Sequence, residues 1–116
     1  MTTAYESAFE YGGESYTLTI RPTDKPRSVR CFIKNGAGEE NGWMDYVVSS
    51  ALAEIWTMSE EQTRRFLERF ALFHARTLIA KGGAIGNDEY HFDADFGSSQ
   101  PESLIEKIES RWAAMV

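Results

Sequence analysis

Residues 5–21 read YESAFEYGGESYTLTIR, two alternating runs on either side of Gly12-Gly13. A Gly-Gly pair flanked by alternation is a strong signal for a two-residue hairpin loop, whose turn needs positive φ at its centre. Such a loop pairs Tyr11 with Glu14, Phe9 with Tyr16, Ser7 with Leu18 and Tyr5 with Ile20. In that register Tyr5, Phe9, Tyr11, Tyr16, Leu18 and Ile20 share one face, and Glu6, Ala8, Glu10, Thr17, Thr19 and Arg21 share the other. Two independent runs agree on the apolar side, which is what specifies a register.

Downstream, Pro22 to Arg27 contains two prolines and Asp24 and reads as a second turn. Ser28 to Lys34 reads as a third strand, with Val29, Cys31 and Ile33 alternating against Arg30, Phe32 and Lys34, so Cys31 faces the core. The Gly- and Glu-rich stretch Asn35 to Gly42 is expected as an exposed loop. Trp43 to Thr57 is ambiguous. Val48, Ala51, Leu52, Ile55 and Trp56 make a helical stripe, and a short strand over Trp43–Val48 is the alternative.

Ser59-Glu60-Glu61-Gln62 has the capping-box pattern, which opens a helix running to about Lys81, with Gly82 expected in the left-handed terminal position. Its apolar face holds Phe66, Leu67, Phe70, Phe73, Thr77 and Leu78. Gly82 to Asn87 is expected as a loop. Glu89 to Phe96 alternates with Tyr90, Phe92, Ala94 and Phe96 on one side, as a half-buried strand does. Ser99, Pro101 and Glu102 then mark the start of a last helix with the stripe Leu104, Ile105, Ile108 and Trp112. The expectation is one α+β domain over residues 1–116. Its element order is β-β-β-α-α-β-α, an antiparallel sheet of about four strands with helices packed on one face.

A chain of 116 residues, 42% hydrophobic and 26% charged, is long and apolar enough to bury a core without disulfides or metals. It has no apolar run of membrane-spanning length. Met1–Tyr11 lacks the basic and apolar regions of a signal peptide, and Cys31 is the single cysteine, so the expected location is the cytoplasm. The net charge of −6 disfavours diffuse binding to nucleic acid and favours a basic partner. The charge is uneven. Arg21, Lys25, Arg27, Arg30 and Lys34 cluster early, while Asp88, Glu89, Asp93, Asp95, Glu102, Glu106 and Glu109 cluster late. These patches suit oppositely charged surfaces, including each other's across a dimer.

Candidate sites follow from residue type. Arg21, Arg27, Arg30, Phe32 and Lys34 form an expected surface patch, in which a ring among cations could stack a base, although only one aromatic is presented. His91 and Asp93, with Asp95, are candidate metal ligands or acid–base groups on one strand face. Same-face neighbours on a strand are about 6.8 Å apart, so one ion could engage a neighbouring pair but hardly all three. Tyr16, Trp56, Phe66, Phe70, Phe73, Tyr90 and Phe92 could line a small-molecule pocket between sheet and helices, or simply fill the core. His74 is expected as a hydrogen-bonded boundary residue. No HExxH, GxSxG, CxxC, Walker or dinucleotide pattern is present, no catalytic residue is assigned and no cofactor is expected. The leading expectation is therefore a non-catalytic protein acting through protein–protein contacts. It would sequester a basic partner, as an immunity protein or antitoxin does. The apolar stretch Trp112 to Val116 suggests a homodimer in addition.

Overall fold

The computed structural model describes residues 5–82 and 86–116. Its elements are β1 (Tyr5–Tyr11), β2 (Glu14–Pro22), β3 (Ser28–Lys34), β4 (Glu40–Val48), α1 (Ser50–Trp56), α2 (Glu60–Gly82), β5 (Gly86–Phe92), a 3-10 turn (Ala94–Ser98) and α3 (Pro101–Ala113). The hairpin register is the expected one, Tyr11 to Glu14 through Tyr5 to Ile20. Gly12 and Gly13 sit at φ 62° and 82°, which supplies the positive dihedrals the tight turn demands.

The sheet corrects the expected architecture in two ways. It has five strands in the order β1-β2-β3-β4-β5, and it is mixed. β1 to β4 form an antiparallel meander, whereas β5 runs parallel to β4 from Gly42↔Gly86 to Val48↔Phe92. A parallel neighbour requires a crossover, and α1 with α2 supplies it. The fourth strand also takes Glu40–Gly42 out of the expected loop and resolves the ambiguous stretch. Met44, Tyr46 and Val48 point to the core with period two, and the helix begins only after Ser49. The Ser49 side chain accepts the Leu52 amide at 3.1 Å and so caps α1. Of the expected helical stripe, Leu52 is buried and Trp56 half-buried, but Ala51 and Ile55 are exposed. Gly42 is required where β4 meets β5, because φ is +97° and an added Cβ would lie 2.7 Å from the Gly86 carbonyl oxygen.

The box that opens α2 forms as expected. The Gln62 amide donates to Ser59 Oγ at 3.1 Å, and the Ser59 amide donates to Gln62 Oε1 at 2.9 Å. α2 lies under the sheet and buries Phe66, Leu67, Phe70, Ala71 and Ala75 against it. Three boundaries move. Gly82 is the last helical residue and lacks the left-handed dihedral, and Gly83 to Ile85 of the expected loop lie outside the described residues. The strand expected to reach Phe96 stops at Phe92, where the 3-10 turn takes over. Gln100 rather than Ser99 precedes α3, with no side-chain cap, and Pro101 occupies the first turn. α3 packs on α2, and Trp112 closes the core edge-on to Phe9 at 5.6 Å.

Candidate functional site: the open sheet face and its edges

Helices cover one face of the sheet and leave the other open. On the covered side Leu18, Ile20, Val29, Cys31, Ile33, Tyr46 and Phe92 are fully buried. Burial pushes the Cys31 thiol up to about 12, so it remains an unreactive thiol in the core. The expected pocket rings do not enclose a common space. Trp56, Phe66, Phe70, Tyr90 and Phe92 are packed ring against ring, with centroids 4.8–6.1 Å apart. Tyr16 lies elsewhere, stacked on Phe9 at 5.2 Å, its hydroxyl donating to Glu14 Oε2 at 2.9 Å. Phe73 lies beside the Arg76 guanidinium, 5.7 Å from its ring centre. The surface clefts found are lined by other residues.

His74 joins this aromatic layer. Its Nδ1 is 2.9 Å from the hydroxyl of Tyr46, and its ring stacks on Phe70 at 5.2 Å. Burial, with a smaller contribution from Arg111 and Lys81, holds its pKa down to about 4, so the imidazole is neutral at physiological pH. Tyr46, absent from the sequence reading, is thus the hydroxyl that satisfies His74. The alternation Met44-Tyr46-Val48 was the signal for it.

The open face carries the expected basic patch in altered form. Arg21, Arg30, Phe32 and Lys34 lie on the outward rows of β2 and β3, opposite in direction to the buried Ile20, Cys31 and Ile33. Arg27 is separate. It occupies the turn before β3 at φ 56°, and its Nε donates to the Val48 carbonyl at 3.3 Å. Each outward ring is already capped. The Arg21 guanidinium lies 5.1 Å from the centre of Phe32, and that of Arg30 lies 4.1 Å from the centre of Trp43. Arg30 is also gripped at both ends by Asp45, at 2.6 Å and 2.9 Å. This Trp43–Arg30–Asp45 cluster emerges only once Trp43–Val48, left ambiguous by its periodicity, is resolved as a strand beside β3. A guanidinium therefore already lies over one face of each of Phe32 and Trp43.

The edges are acidic. β1 presents Glu6, Ala8 and Glu10 outward, and β5 presents Glu89 and His91, followed by Asp93 and Asp95 in the turn. His91 Nε2 is 3.2 Å from Glu89 Oε2, whereas Asp93 makes no side-chain cap to the 3-10 turn. Among the described residues no three His, Cys, Asp or Glu side chains converge as a metal site. Part of the late acidic run is spent internally, since Arg69 binds Glu102 at 2.6 Å and reaches Glu109 at 4.0 Å, and Lys25 reaches Glu89 at 4.0 Å. Glu6, Glu10, Asp88, Asp93 and Asp95 have no ion pair among the described residues. No described helix is long and apolar enough to cross a membrane. No protein-family model matches the chain, and neither curated proteins nor solved structures give a significant match.

Proposed function

We propose that this chain is a non-catalytic binding protein that acts through protein–protein contacts on a basic partner, as an immunity protein or antitoxin acts on its target. The observation that carries the reading is the distribution of uncompensated carboxylates. Glu6 and Glu10 line the open face along β1, and Asp93 and Asp95 lie in the turn beyond β5, none of them in an ion pair among the described residues, while the core behind the sheet is closed by ring-on-ring packing. Fixed acidic groups at the rim steer a cationic partner and reject acidic ones. The centre of the face supplies Phe32, Trp43 and Val47, and aromatic residues together with Arg are enriched at such contacts. Its place of action is the cytoplasm, in keeping with a lone buried cysteine.

Affinity capture from the native host, followed by mass spectrometry, tests the reading. The wild-type chain should retain a basic protein. A variant with Glu6, Glu10, Asp93 and Asp95 all changed to Lys should not, and added salt should weaken retention. Equal capture by both forms overturns it. A second copy is the alternative occupant of the open face, favoured by the half-buried Trp43 and Phe32 there. Light scattering that returns 13.1 kDa at high concentration removes that alternative.

A further inference from the structure

We propose that the outer edge of β1 receives an extended segment of the basic partner as a sixth strand, with Lys or Arg alternating with apolar side chains. This deepens the reading above and rests on it. β1 is the terminal strand of the sheet, hydrogen-bonded only to β2 among the described residues, so its other row of amides and carbonyls is turned outward. An edge of this kind binds by strand addition, in which the backbone supplies affinity and alternate side chains supply specificity.

The side chains of β1 discriminate among occupants. On the open face Glu6 and Glu10 flank Ala8, and among the described residues the one hydrogen bond either carboxylate receives is from Ser15 Oγ to Glu10 at 3.3 Å. Two β1 strands paired antiparallel over their full length, centred on Ala8, would set Glu6 of each copy opposite Glu10 of the other. Like charges directly opposite are destabilising. That full-length register is therefore disfavoured for a second copy, and it suits a strand with cations at the same two positions. On the helix side a cleft of about 110 Å³ opens beside the edge, lined by Tyr5, Glu68, Arg69 and Leu72. Tyr5 is 45% exposed there, unusual for a residue on the core-facing row. The cleft has room for one apolar side chain of the added strand. Burial holds the Glu68 carboxyl above its usual range, and Arg65 offsets this only in part.

The test uses the full chain, isotope-labelled, and a blocked seven-residue peptide of alternating Lys and Val, with the Glu–Val peptide as control. The Lys–Val peptide should shift the amides of Tyr5–Tyr11 and slow their exchange. E6K/E10K should weaken it by at least about tenfold and accept the Glu–Val peptide instead. Both changes are at exposed positions, and an unaltered β2–β3 amide spectrum verifies the fold. Failure of the peptide to bind, shifts confined to β5, equal binding by both forms, or β1 amides protected by self-association would each overturn strand addition. If the peptide fails while wild-type chain still captures a basic protein, the function reading stands and this edge is not its site. If no basic protein is captured, both fall.

Discussion

The two faces of the sheet are built from the same period-two alternation, yet they handle aromatic side chains in opposite ways. On the covered face Phe92 is fully buried and meets Phe66, Phe70, Tyr90 and Phe96 edge-on or tilted at 4.8–5.3 Å. On the open face Phe32 and Trp43 meet no other ring among the described residues and are capped by Arg21 and Arg30. The covered face is held by removal of apolar area from water, which is strong and non-directional. The open face is held by cation–ring and ion-pair contacts that solvent weakens. A binding surface needs the second kind, because its groups must be able to exchange water for a partner.

The contrast can be broken or sharpened by mutation. Phe92→Ala should cost about 3–5 kcal/mol of unfolding free energy in urea titration, since it empties a site walled by four rings. A cost below that of the open-face changes would show that the covered face is not the main source of stability. Next is the buried imidazole. The folded-state pKa of His74 is depressed to about 4 from 6.5, so the native state prefers the neutral form. The stability this provides is fully present above pH 6.5 and is lost as pH falls from there towards about 4, in total about 3 kcal/mol. His74→Gln should flatten the pH dependence of the urea midpoint in that window. Asp45→Ala leaves Arg30 without its carboxylate and should cost about 1–2 kcal/mol, less at high salt. Trp43→Ser should cost about 1 kcal/mol or less in stability, because it removes one capped ring from a half-wet surface, while weakening partner capture. Equal losses for Phe92→Ala and Trp43→Ser in thermal melts would erase the distinction between the faces.

Legibility in the sequence varied with the range of the interaction involved. The β1–β2 hairpin was readable to the residue because Gly12-Gly13 sets the register locally. The capping of α2 was readable because Ser59 and Gln62 are three residues apart. β4 was harder. Val48 continues the spacing of Leu52 and Trp56, so a strand that ends next to a helix imitates the start of that helix. While the stretch stays ambiguous, the neighbours of Trp43, Asp45 and Tyr46 cannot be assigned. His74 was expected to find a hydrogen-bond partner, but Tyr46 is 28 residues away and only packing identifies it. The basic patch was partly legible. Alternation put Arg30, Phe32 and Lys34 on one face, but nothing in the sequence showed that Arg27 would turn towards the Val48 carbonyl.

The chain alone determined which side of each strand and helix is greasy, where the first hairpin turns and how α2 begins, because these depend on residues within a few positions of one another. The partner of β5, its parallel direction, the pairing of Arg30 with Asp45 and the acidic rim around an open face were decided only by the tertiary structure. Those contacts join segments far apart in sequence, and periodicity specifies which face a residue occupies but not which neighbour it meets there.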